Sequence, residues 1–209
     1  MNLRNFALFG ASLLIAGAAH AQAGLYATVT AQRISNIPYS TGTTTATGGE
    51  VNPLGGTFGA YYDFKNLGPV RLGVDGRGVI TRTPRGVLPT ANGSGTHLFS
   101  VLGGVRASFH TPIHLLRPYV EGAAGYARTD YGEPPDSPQP GVITGVSTPL
   151  YKAFEYHGYA GLDLAVAPLL DVRLFELGYG GLSGSGPTNQ SQSYPVKSIS
   201  VGIVFHLPR

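Results

Sequence analysis

The sequence contains no cysteine and no tryptophan, and a single methionine among its 209 residues. Without thiols it can form no disulfide, no thiolate metal centre and no cysteine-based redox site. Charged side chains are scarce too, at 12%, against about 25% in an ordinary soluble domain. The formal net charge of +3 is not gathered into any basic run, so nothing points to nucleic acid as a partner. Beyond residue 23 no stretch supplies the roughly 18 consecutive apolar residues that a membrane-spanning helix requires. What is abundant is glycine (31), proline (16) and tyrosine (12), in a chain that is 42% hydrophobic. That apolar content excludes a disordered polypeptide, and the length suits one domain.

The first 23 residues read as an address. Arg4 supplies a positive start, Phe6–Ala19 is an uncharged stretch of 14 residues, and Ala19-His20-Ala21 and Ala21-Gln22-Ala23 are both small-x-small triplets. The stretch is too short to span a bilayer, so a secretory signal peptide is expected over 1–23, cleaved after Ala21 or Ala23. The exported domain would then occupy 24–209.

That domain alternates with a period of two rather than 3.6, which is the signature of half-buried strands. Eight segments show it: Leu25–Ile34, Gly55–Lys65, Val70–Thr81, His97–Phe109, Tyr119–Thr129, Tyr151–Ala167, Asp171–Leu182 and Val196–Leu207. In the second, Phe58, Ala60, Tyr62 and Phe64 alternate with Thr57, Gly59, Tyr61 and Asp63. In the last, Ile199, Val201, Ile203, Phe205 and Leu207 alternate with Ser198, Ser200, Gly202 and His206. The seventh is irregular, because Arg173 and Glu176 cannot share a face on strict alternation, so a bulge is expected near Leu174–Phe175.

The connections decide the topology. They measure 20, 4, 15, 9, 21, 3 and 13 residues, alternating long and short throughout. This rhythm implies an all-β fold, an eight-stranded antiparallel up-and-down transmembrane β-barrel with short periplasmic turns and long extracellular loops. All prolines are expected outside the strands, because proline has no N–H to give a closed ladder. The long loops are placed at Ser35–Leu54, Arg82–Gly95, Asp130–Leu150 and Ser183–Pro195.

The polar face carries isolated charges of both signs, and eight strands enclose a lumen just wide enough for side chains. An interior ion-pair network is therefore expected from Asp63, Arg71, Asp75, Arg77, Arg106, Glu121 and Asp163, with Arg106 opposite Glu121 and Asp63 and Arg71 flanking the Asn66–Pro69 turn. Glu155 shares that face. A soluble lipocalin-like barrel is the alternative, with the same alternation turned inside out. Aromatic residues favour the membrane form. Tyr62, Phe64, Phe109 and Phe205 fall near one rim, and Phe99, Tyr126, Phe154, Tyr156 and Tyr179 near the other, as interfacial girdles do.

The chain's end, Ser200-Val-Gly202-Ile-Val-Phe205-His-Leu207, resembles the outer-membrane assembly signal, a polar residue, a glycine and two terminal hydrophobics in fixed spacing. Arg117-Pro-Tyr-Val-Glu-Gly-Ala-Ala-Gly-Tyr126 is similar to the fifth-strand wording of the outer-membrane protein A/X-like eight-stranded barrels of the Gram-negative cell envelope. The resemblance covers essentially 24–209. It implies insertion by the barrel assembly machinery, exposed loops and a polar, largely plugged interior. The sequence departs from many members in running two residues past the terminal hydrophobic, and no peptidoglycan-binding domain is expected after the barrel.

Enzyme chemistry finds little support. Ser108 and His110 lie on one face near a turn but lack an evident acidic partner. His110 and His114 have i,i+4 spacing, yet Pro112 between them opposes the helix that spacing needs. His97 and His157 stand alone, and Asn92-Gly-Ser reads as a turn. The expectation is a monomeric, non-enzymatic barrel without metal or cofactor, with a structural or surface-interaction role in the outer-membrane bilayer and loops open to an extracellular ligand. A narrow low-conductance channel gated by the lumen charges is the second reading, and a lipid-modifying enzyme the third.

Overall fold

A computed structural model describes residues 22–40, 45–84, 96–113, 115–130, 151–185 and 191–207. The described residues form nine strands: β1 Gln22–Ser40, β2 Thr45–Val51, β3 Leu54–Leu67, β4 Val70–Arg82, β5 His97–Phe109, β6 Leu116–Thr129, β7 Tyr151–Ala167, β8 Leu170–Ser185 and β9 Ser191–His206. Every neighbouring pair is antiparallel, and β1 pairs β9 from Gly24↔His206 to Ile34↔Val196, which closes the sheet.

Nine strands make an eight-stranded wall because β2 and β3 are two halves of one. β1 pairs β3 up to Ala31↔Leu54 and resumes with β2 at Ile34↔Val51. Asn52 and Pro53 interrupt the ladder between them, where the Gln32 amide donates to the Pro53 carbonyl at 2.9 Å. The expected loop over Ser35–Leu54 is therefore mostly a hairpin, closed by Ser40↔Thr45. The expected loop over Ser183–Pro195 is likewise shortened, with β8 and β9 paired out to Ser185↔Ser191. Alternation hid both extensions. Asn36 adopts a positive φ of 62° at a register slip in β1, which shifts the two-residue period just where the strand was expected to end.

Three prolines lie inside strands, contrary to expectation: Pro38 in β1, Pro118 in β6 and Pro195 in β9. Each sits past the last rung to one of its neighbours. Pro118 follows the end of the β5 ladder at Ser108↔Tyr119, Pro195 the end of the β1 ladder at Ile34↔Val196, and Pro38 falls in the β1–β2 slip. A strand paired on one side tolerates the missing N–H.

The short connections all lie at one end. β3 and β4 are joined by Gly68–Pro69 alone, with Gly68 at φ 71° supplying the left-handed backbone that primed hairpin turns need. In β8 the ladder slips between Arg173 and Glu176, so Leu174 and Phe175 both face outward while the two charges on either side turn in. The bulge lies at the expected place.

The wall is apolar on its outside. Leu25, Val29, Phe58, Val74, Ile80, Val101, Val105, Leu177, Ile199, Val201 and Ile203 all project outward, Val105 with 61% of its surface exposed. The largest fully buried side chain is an arginine, Arg173. A soluble barrel would invert both facts.

Candidate functional site in the barrel lumen

The lumen is layered from the short-turn end upward. At that end a cavity of about 460 Å³ is lined by Asp63, Arg71, Arg106, Arg117, Asp171 and His206, with Ser108 and His110 at its mouth. His206 lies 2.7 Å from Asp171 through Nε2, and its Nδ1 is 3.0 Å from the Tyr61 hydroxyl. Arg117 donates to Asp171 at 3.0 Å.

Above this vestibule three arginines and four tyrosines fill the cross-section. Arg77 donates to Asp75 (3.2 Å), Glu121 (2.6 Å) and Glu176 (3.0 Å). Arg173 donates to Asp163 through Nε (2.9 Å) and to Glu176 through Nη1 (3.1 Å), and Arg106 reaches Asp163 at 3.3 Å. Their guanidinium planes stack on tyrosine rings. Arg106 lies 4.1 Å from Tyr61 and 3.9 Å from Tyr119, Arg77 lies 3.9 Å from Tyr159, and Arg173 lies 4.5 Å from Tyr26. Desolvated cation–π contacts of this kind contribute about 2 kcal/mol each.

The rings can lie flat against the wall because each faces a glycine across the ladder: Tyr61 with Gly24, Tyr26 with Gly59, Tyr119 with Gly161 and Tyr159 with Gly178. A Cβ at Gly59 would stand 2.2 Å from the Tyr26 ring, and one at Gly161 2.5 Å from the Tyr119 ring. The glycine excess thus serves close approach by aromatic rings in the lumen.

Above the charges comes a layer of hydroxyls. Thr30 is 2.7 Å from Thr57 and 2.9 Å from Ser200, Thr81 donates to Gln32 at 2.8 Å, and Ser100 donates to Glu155. His157 lies 3.2 Å from Glu155. The loop end is closed by an apolar cluster of Ile34, Ile37, Val51, Leu98, Ala127, Ala153, Leu182, Tyr194 and Val196. Ile37 and Val51 come from the β1–β2 hairpin.

Of the residues singled out in the sequence, Asp63, Asp75, Arg77, Arg106, Glu121 and Asp163 are all buried in the lumen, and Arg71 lines the vestibule beside Asp63. Arg106 and Glu121 are ladder partners, as expected, but their hydrogen bonds run elsewhere, Arg106 to Asp163 and Glu121 to Arg77. Sequence reasoning missed Arg173, Glu176, Arg117, Asp171, His206 and the four tyrosines. The usable signal was tyrosine on the polar face at the same height as glycine on the next strand. The aromatic residues Phe64, Phe99, Phe109, Tyr126, Phe154, Tyr156 and Tyr179 all project outward, and Tyr62 is half-buried. In the terminal strand Ser200 faces the lumen while Phe205 and Leu207 face out, and a Cβ at Gly202 would meet the Ala27 carbonyl oxygen at 2.2 Å. His114 and residues 1–21 lie outside the described residues. Among the described residues no group of three or more metal-ligating side chains occurs.

A closed wall, apolar without and charged within, decides the architecture. It is that of a transmembrane β-barrel. No protein-family model matches the sequence, and no curated protein does. Solved structures do. The outer membrane protein AlkL, determined in lipid bilayers, superposes with a TM-score of 0.54 at 12% identity, covering 91% of this chain and 92% of that one. Neisserial surface protein A superposes with a TM-score of 0.51 at 16% identity, covering 87% and 96%. At such identities the likeness is one of fold.

Proposed function

We propose that this barrel is an outer-membrane protein, exported by its leader and inserted by the barrel assembly machinery, whose sealed lumen makes it a scaffold for surface-exposed segments and not a conduit or an enzyme. The observation that supports a scaffold is the double closure of the lumen, by the Arg77–Arg173–Glu176 network at mid-height and by the Ile34–Ile37–Val51 cluster above it. An ion crossing would have to break hydrogen-bonded charge pairs and then desolvate through an apolar constriction, two barriers in series. In this reading the outward aromatics are interfacial girdles, and the Ser200–Leu207 spacing is the assembly signal. The loop end then carries whatever extracellular ligand the protein engages.

Planar-bilayer recordings test it. The wild type, Arg106→Ala and Glu121→Ala are all expected to show no unitary conductance, since the apolar cluster remains. Conductance steps in the wild type that change with either substitution would establish the narrow channel instead.

The leader is testable separately. Gln22 and Ala23 already pair with Asp63 and Tyr62, and the Leu207 amide donates to the Ala23 carbonyl at 3.0 Å. Cleavage after Ala21 preserves these rungs, so mass spectrometry of the mature protein is expected to find Gln22 at its amino terminus. Cleavage after Ala23 would show that the first rungs are dispensable.

A further inference from the structure

On five strands the outward apolar row ends, at the loop end, on a cation. Arg33 follows Val29 and Ala31 on β1, Arg82 follows Ile80 on β4, and Arg128 follows Tyr126 on β6. Lys152 precedes Phe154 on β7, and Lys197 precedes Ile199 on β9. All five are exposed on the outer face. At the opposite end the outer face carries Lys65 as its one lysine or arginine among the described residues. The asymmetry is built into the wall.

The placement within the ladder is more telling than the number. Arg33 stands directly opposite Lys197, and Arg128 directly opposite Lys152. Like charges in cross-strand pairs repel and destabilise a sheet unless an anion lies between them. Arg33 has such an anion in Glu50, at 2.5 Å. Arg82, Arg128, Lys152 and Lys197 form no ion pair with an acid among the described residues. Their height sets them beside the lipid headgroups. From Lys197 to Leu207 the strand runs about 33 Å, or about 25 Å along the membrane normal at a tilt of about 40°. This matches the apolar band of a membrane barrel, so the cations stand at headgroup level beside rings that lie in the interface.

We propose that this rim is a binding belt for the phosphate groups of a phosphorylated lipid in the outer leaflet. Arginine forks and lysine point charges are the donors that phosphate oxygens take, and their alkyl stems can lie along the adjacent apolar row. The belt rests on the membrane reading given above. The two can fail separately, because a variant that still inserts and shows heat-modifiable gel mobility has kept the barrel.

The test uses full-length mature protein reconstituted in phosphatidylcholine vesicles, with spin-labelled lipids reporting which species stay at its perimeter. A bisphosphorylated glycolipid is expected to be held over phosphatidylcholine by about tenfold or more, and over phosphatidylglycerol as well, with the preference falling as salt rises. The triple variant Arg128→Gln/Lys152→Gln/Lys197→Gln is expected to lose at least about fivefold of that preference, and Lys65→Gln none of it. Should the triple variant misfold, the single Lys152→Gln and Arg82→Gln variants carry the same test with smaller losses. Equal retention by variant and wild type overturns the belt. Equal retention of phosphatidylglycerol and the bisphosphorylated lipid reduces it to general anionic attraction and overturns it too. Inorganic pyrophosphate binding to the detergent-solubilised protein through these residues, as tightly as the lipid does, would assign the rim to a soluble polyanion instead.

Discussion

Replacing Glu176 with leucine is expected to destabilise the barrel by about 3–5 kcal/mol, read as a lower midpoint of urea unfolding in lipid vesicles. Glu176 accepts from Arg77 at 3.0 Å, from Arg173 at 3.1 Å and from the Tyr119 hydroxyl at 2.5 Å. Deleting it leaves two buried guanidinium groups short of a counter-charge and one buried hydroxyl unpaired. Removing one member of such a set costs far more than never having built it, because the remaining charges stay desolvated. Leu177 beside it faces outward, so Leu177→Ala is the control and is expected to move the midpoint much less. Coinciding midpoints for Glu176→Leu and wild type would mean that water, and not the protein, balances these charges.

The second large effect is expected from one methyl group. Gly59→Ala places a carbon 2.2 Å from the Tyr26 ring, which must then lift off the wall. Lifting it breaks the Tyr26 hydroxyl bond to Asp75 at 2.8 Å and disturbs the ring on which Arg173 rests at 4.5 Å. Overpacking of this kind costs about 1–3 kcal/mol. If the ring is the obstacle, Tyr26→Ala/Gly59→Ala will be less destabilised than the sum of its single variants, with a coupling of about 0.5–3 kcal/mol. Simple additivity would locate the cost in the strand backbone instead.

Fold and site were unequally legible in the sequence. The eight-stranded wall and its short turns follow from alternation and loop lengths, because one buried face specifies register so strongly that a slip would turn every side chain over. The same rule explains the largest miss. β1 slips register beyond Ile34, around Asn36, and a period-two reading stops where the period slips. The hairpin over Ser35–Leu54 therefore read as a loop. Which lumen charges lie on which face was readable, but which charge bonds which was not. Arg106 and Glu121 are neighbours along the ladder, yet an arginine side chain reaches across the lumen, and strand register says nothing about contacts made through the barrel's interior. The tyrosines were visible as members of the polar face. Their role depends on a glycine on another strand, which only register reveals.

The closure of β1 onto β9 has a consequence in time. Eleven rungs, from Gly24↔His206 to Ile34↔Val196, join the first strand to the last. Until β9 exists, one whole edge of β1 has no partner, and in hydrocarbon each unsatisfied backbone group costs several kilocalories per mole. β8 waits for β9 as well, whereas β3 to β7 have both neighbours before β9 is made. Membrane entry therefore has to wait for the carboxy-terminal residues, and any truncation that removes them leaves an open sheet with two bare edges. The final strand acts as the latch of the molecule as well as its last segment.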